Sequence, residues 1–208
     1  MIEKISRMIL SIVSKKEDTE EQKEIMLFGI TRIVEDVPKY IVLVIMALLL
    51  GIMKDLLIAM AVIAAYKTFT GGAHLHTNIG CLVATAVSLI ICVYLPRLLV
   101  EFESILIPFY VFVYIFSVYV ILVYVPADVP EIPVINKKRR KRDKIMSFVV
   151  LNLLYIISFV IIKNQSYIAL IMVTILFIDT MTTRTIYRLF RNQYGYETYV
   201  PDELLMTE

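Results

Sequence analysis

The chain of 208 residues contains no tryptophan, two histidines, two cysteines and six glycines. Without Trp, the aromatic belts that mark a membrane interface fall to tyrosine, and Tyr40, Tyr66, Tyr110 and Tyr167 lie near the ends of apolar runs. Two cysteines, Cys81 and Cys92, do not make a disulfide framework. No small-residue cleavage site follows the first apolar residues, which alternate with Lys, Arg and Glu, so the N-terminus is expected to stay on the protein and in the cytoplasm. No nucleotide-binding motif occurs, which argues against ATP-driven export by this chain alone. Charge is scarce too, at 19%.

Apolar residues are abundant. The AVILMFWYC set makes up 59% of the chain, against about 45–50% for a comparable set in soluble domains. Mean hydropathy is +0.78. So few polar residues cannot cover that much apolar surface, and the expected solvent is lipid. The expected fold is an all-α integral membrane domain spanning 1–208. An amphipathic, interfacial N-terminal region (1–36) precedes a transmembrane bundle (37–182) and a cytoplasmic tail (183–208). Six apolar segments, near 38–53, 55–69, 81–99, 104–125, 145–162 and 166–182, predict about six spans, the second of which could be re-entrant. With the N-terminus inside, eighteen of the 21 Lys and Arg fall on the cytoplasmic side, leaving Lys54, Arg97 and Lys163 outside. Both termini and the loops at 70–80 and 126–144 then face the cytoplasm.

The 126–144 loop reads as an extended Pro126–Pro133 segment followed by the basic run Lys137, Lys138, Arg139, Arg140, Lys141, Arg142 and Lys144. That run suits anionic lipid headgroups, at about 1 kcal/mol per residue near the surface, or an acidic peptide. Asp179 lies near the end of the last segment, where snorkelling to water or pairing with Arg184 is the expected arrangement. Asn152 and Asn164 are candidates to bridge helices.

The run from Lys67 to Cys81 concentrates the reactive residue types. It holds both histidines (His74 and His76), one of the two cysteines and three of the six glycines (Gly71, Gly72 and Gly80). A neutral imidazole beside a thiol generates a thiolate nucleophile. On a straight helix His74 and Cys81 would share a face but stand about 10.5 Å apart along the axis, too far for a base that must reach about 3 Å. A His74–Cys81 dyad therefore requires the chain to bend, which Gly72 and Gly80 favour. His76 is a competing base. Zinc is another reading of His-x-His with Cys, but no fourth ligand is nearby, and a plain interfacial loop is the third. Cys92 lies mid-segment among aliphatic residues and reads as an inert buried thiol.

Gly71-Gly72-Ala73-His74 with Cys81 seven residues on, and Tyr124-Val125-Pro126-Ala127-Asp128 ahead of prolines and a basic run, resemble the accessory gene regulator B (AgrB) family. The resemblance implies a membrane cysteine endopeptidase that trims a small AgrD-like quorum-sensing propeptide through a thioester acyl-enzyme. Cyclisation to a thiolactone or lactone then follows. It implies Cys81 as nucleophile and His74 as general base, and no cofactor or metal. Members often carry Arg a few residues before the glycines; here the basic residue is Lys67, a supporting candidate together with Gly72 and Asn78. Anionic lipids and the propeptide are the expected partners, a homodimer is a candidate state, and no nucleic acid is expected. The competing class is a small non-enzymatic transporter or scaffold in which 70–81 is a plain loop.

Overall fold

The computed structural model describes residues 2–15, 19–75, 77–130 and 132–199, apart from the side chains of Glu21, Asn78 and Tyr199. Every regular element among the described residues is helical. The chain divides into two compact units, Met1–Met53 and Lys54–Glu208.

In the first unit, α1 (Ile2–Val13) exposes Met8, Ile12 and Val13, and Glu3 accepts from Arg7 one turn on at 2.9 Å. The second helix, α2 (Glu20–Leu49), opens on a capping box. The Gln22 amide donates to Thr19 Oγ1 at 3.2 Å, and the Thr19 amide donates to Gln22 Oε1 at 2.8 Å. This helix runs through Pro38 without a break, so the amphipathic stretch near 25–34 and the apolar segment at 38–53 are one element.

The second unit contains all but the first residue of α3 (Met53–Thr70), with α4 (Asn78–Leu99), α5 (Glu103–Val123), α6 (Lys137–Ile156, continued by a π-helical turn at Ile157–Ile161), α7 (Gln165–Thr182), α8 (Arg184–Leu189) and α9 (Gly195–Tyr199). Among the described residues, four helical stretches are long and apolar enough to cross a membrane: Ile79–Leu99, Glu103–Val123, Lys137–Ile161 and Gln165–Thr182. They match the last four apolar segments. Most of the first segment lies in α2, which ends at Leu49, and the second lies in α3, which carries Lys54, Asp55 and Lys67 among its 18 residues.

The core is built on α7, whose Ile168–Ile175 stretch is buried all round. It packs against α4 and α5. These two and α6 turn residues such as Val83, Ile107, Ile115 and Val160 outward. Apolar faces of this kind are stable against lipid and would form large exposed patches in water.

Polar residues inside the bundle depart from the sequence expectation. Asp179 neither snorkels nor pairs with Arg184. It is fully buried and accepts from Tyr66 Oη at 2.9 Å and Ser117 Oγ at 2.5 Å, joining α3, α5 and α7. Arg184 pairs with Glu197 instead. Two donors compensate a carboxylate that cannot reach water. Tyr66 and Tyr110 are therefore core residues, not an interfacial belt. Asn152 does bridge helices, accepting from Tyr114 Oη at 3.1 Å. Asn164 does not; it caps α7 through the Ser166 amide at 2.9 Å. Cys92 is buried, and both cysteines are free thiols.

Residues 126–144 are not one loop. The proline segment is non-helical but not extended throughout, since the Ile132 amide turns back to donate to Val129 O at 3.0 Å, and the basic run forms the first turns of α6. The Asn136 side chain caps that helix by accepting from the Lys138 and Arg139 amides at 2.9 and 3.3 Å. Cations at a helix N-terminus oppose the helix dipole by about 0.3–1 kcal/mol each. Two buried carboxylates offset this: Asp143 beside Arg139 and Arg142, at 3.6 and 2.9 Å, and Asp128 beside Arg140, at 3.6 Å.

Candidate active site

Three connections meet at one end of the second unit. The α3–α4 connection starts where α3 ends at Thr70. Gly71 then takes φ +75° and Gly72 φ +142°, conformations that L side chains rarely adopt. The first turn away from the helix brings the chain against the α5–α6 connection. The Ala127 amide donates to Thr70 O at 2.8 Å, and the Gly72 amide donates to Ala127 O at 3.0 Å. A Cβ at Gly71 would lie 2.0 Å from Ala127 O. The Ala73 amide then donates to Met181 O, near the end of α7, at 2.9 Å.

His74 and Leu75 follow in non-helical conformation, and α4 begins at Asn78, capped by Thr77 Oγ1 accepting from the Gly80 amide at 3.1 Å. His74 and Cys81 therefore do not share one continuous helix. Cys81 sits in the first turn of α4, half-buried, its amide donating to Thr77 O at 2.9 Å. A negative charge there would lie at the positive end of the helix dipole. His74 is exposed. His76 lies outside the described residues, and Asn78 is placed by its backbone alone as the first residue of α4. Lys67 occupies the last turn of α3, its stem within 3.7 Å of the Gly72 Cβ position.

Residues 183–199 pack back on these connections. Tyr187 and Tyr194 stack at 4.3 Å with their planes 11° apart. Tyr187 Oη donates to Asp128 O at 3.0 Å, and Tyr194 Oη donates to Thr182 O at 3.0 Å. Burial raises both phenols above their ordinary pKa, so they remain donors throughout the physiological range. Ala73 and Ala127 pack with these rings in a small core of their own. Gly195 lies so close to the α5–α6 connection that a Cβ would be 2.3 Å from Val129 O. The Tyr196 amide donates to Asp128 Oδ2 at 3.0 Å, and Asn192 Nδ2 donates to His74 O at 2.7 Å.

Asp128 organises this layer. Its Oδ2 also accepts from the Val134 amide at 2.7 Å, and Arg140 lies 3.6 Å away with its guanidinium 4.2 Å from the centre of the Tyr196 ring. Of the basic run, Arg140 is thus engaged by its neighbours, as are Arg139 and Arg142 with Asp143, while Lys144 donates to Leu122 O at 2.8 Å. Lys138 and Lys141 make no ion pair with a described residue, and Lys137 has a partner. Sequence reasoning missed Asn192, Tyr187 and Tyr194, which carry no local signal of the contacts they make.

The family model for "Accessory gene regulator B" matches residues 3–183. Two AgrB-like proteins of Clostridium perfringens are similar: putative AgrB-like protein 2 of strain 13 is 25% identical over 152 residues, and a putative AgrB-like protein of strain SM101 is 26% identical over 152. Each alignment covers 69% of both chains. No solved structure matches. The match to the family model runs from α1 to the end of α7, through both clustered motifs, and the chain belongs to the accessory gene regulator B family.

Proposed function

We propose that this protein is a membrane-embedded cysteine endopeptidase that cleaves a small AgrD-like quorum-sensing propeptide on its C-terminal side. The observation that carries the reading is the clamped, non-helical Gly71–His74 segment, which presents an exposed histidine a few residues before a thiol in the first turn of α4. Family membership supports involvement in quorum-sensing peptide processing.

In this reading His74 takes the Cys81 thiol proton, and the thiolate sulfur attacks the scissile carbonyl carbon. The tetrahedral intermediate collapses to a thioester as the C–N bond breaks, and the imidazolium returns the proton to the leaving amine. A Cys or Ser within the peptide then displaces Cys81, closing a thiolactone or lactone ring. A boundary with lipid limits the water that would hydrolyse the thioester. Gly71, Gly72 and Lys67 shape the approach to His74. The protein sits in the cell membrane with α2 and α3 completing six spans, both termini and the site cytoplasmic, and Lys137–Arg142 facing anionic headgroups or the acidic end of the propeptide. A homodimer is compatible with this arrangement.

Precursor processing by cells carrying Cys81→Ala, His74→Ala, Cys92→Ala or His76→Ala tests the reading. Cleavage is expected to disappear in the first two and persist in the last two. Cleavage by Cys81→Ala would return the protein to the transporter or scaffold class.

A further inference from the structure

We infer that Asn192 is a positioning residue for the general base, acting on the His74 main chain from the far side of the sequence. The inference rests on the peptidase reading above and adds a residue to its site.

His74 is exposed and belongs to no helix, so no regular structure fixes its backbone. The bonds that hold its neighbours come from main-chain groups: Gly72 to Ala127 and Ala73 to Met181. His74 itself is also held by a side chain, the Asn192 carboxamide donating to its carbonyl at 2.7 Å across 118 residues. That bond acts at the residue whose imidazole must reach the thiol. A base of this kind tolerates little displacement, since a misplacement of about 1 Å costs roughly 100-fold in rate.

Asn192 is itself held on both sides. Its amide donates to Tyr187 O at 2.8 Å, closing the turn after α8 in which Arg191 takes φ +56°. Beyond it, Tyr194 is stacked on Tyr187, Gly195 sits against Val129 O, and the Tyr196 amide is bound to Asp128. The carboxamide is therefore presented from a fixed frame, and the frame is anchored to the same Ala127–Asp128 connection that clamps Gly71 and Gly72. The segment 184–199 forms a strap across the loop that bears His74.

The test is cleavage of a synthetic precursor by the full-length protein in nanodiscs, with kcat and KM measured separately and thermal unfolding recorded for each variant. Asn192→Ala is expected to lower kcat about tenfold while KM stays within about twofold. Asn192→Gln, which keeps the donor, is expected to recover most of the loss, and Gln193→Ala, an exposed neighbour, to behave as the parent. Parental kcat in Asn192→Ala overturns the inference. So does an equal loss in Asn192→Ala and Asn192→Gln accompanied by a lower unfolding temperature, which would mark a structural role alone. Cys81→Ala is run alongside. If it is inactive while Asn192→Ala is normal, only the positioning role falls; if it still cleaves, the peptidase reading falls and the positioning role with it.

Discussion

At Gly71 a single methyl group would lie 2.0 Å from Ala127 O, a backbone atom that cannot rotate away. The residue also stands at φ +75°, so any L side chain there is strained in addition. Gly29 is the opposite case: it lies inside α2, and nothing lies within 4 Å of its Cβ position. Gly71→Ala is expected to destabilise the second unit by about 1–3 kcal/mol and to abolish processing. Gly29→Ala is expected to stabilise by about 0.5–1 kcal/mol with processing intact. Thermal unfolding in detergent together with a processing assay checks both, and normal processing by Gly71→Ala would contradict the clamp. Composition already pointed near here, because three of six glycines fall in ten residues. Which glycine faced a carbonyl was not readable, since its neighbour Ala127 lies 56 positions away.

The basic run is one block by sequence and two populations by structure. Periodicity and charge predicted cations in a loop, whereas the Asn136 cap draws them into α6 and turns alternate residues toward different partners. Arg140 faces buried Asp128, while Lys138 and Lys141 face no described acid. Replacing Lys138 and Lys141 by Gln is expected to raise KM for an acidic-tailed precursor about two- to fivefold at low salt. The effect should fade as salt screens exposed charges, with thermal stability unchanged. Arg140→Gln is expected to act on stability instead, costing about 1–3 kcal/mol by leaving a buried carboxylate with one cation fewer. Salt-titrated kinetics beside unfolding curves distinguish the two. Equal salt sensitivity in both variants would mean that the run acts as undivided charge.

At the scale of the whole molecule, the number of membrane crossings depends on α2 and α3. Among the described residues four helices qualify by length and apolarity, and α2 and α3 bring the count to six only if helices bearing Lys39, Lys54, Asp55 and Lys67 also cross. In the six-span arrangement Glu101 lies outside and Ile135 inside. A membrane-impermeant thiol reagent applied to intact cells is expected to label Glu101→Cys and leave Ile135→Cys unlabelled until the cells are opened, both in a background lacking Cys81 and Cys92. Labelling of Ile135→Cys in intact cells would reverse the orientation and remove the site from the cytoplasmic face.

Sequence alone determined the apolar composition that suits lipid, the all-helical class, the last four of six expected apolar segments and the run in which a thiol and two histidines coincide. These follow from composition and from spacing over a few turns, where each residue's neighbours are close along the chain. Tertiary structure decided what was paired across the fold: Asp179 with Tyr66 and Ser117 in place of Arg184, the capture of Arg140 by Asp128, and the strap that carries Asn192 to His74. The physical reason is the same in each case. A buried or clamped polar group is satisfied by whichever partner the helix packing brings within about 3 Å, and that partner leaves no trace at its own place in the sequence.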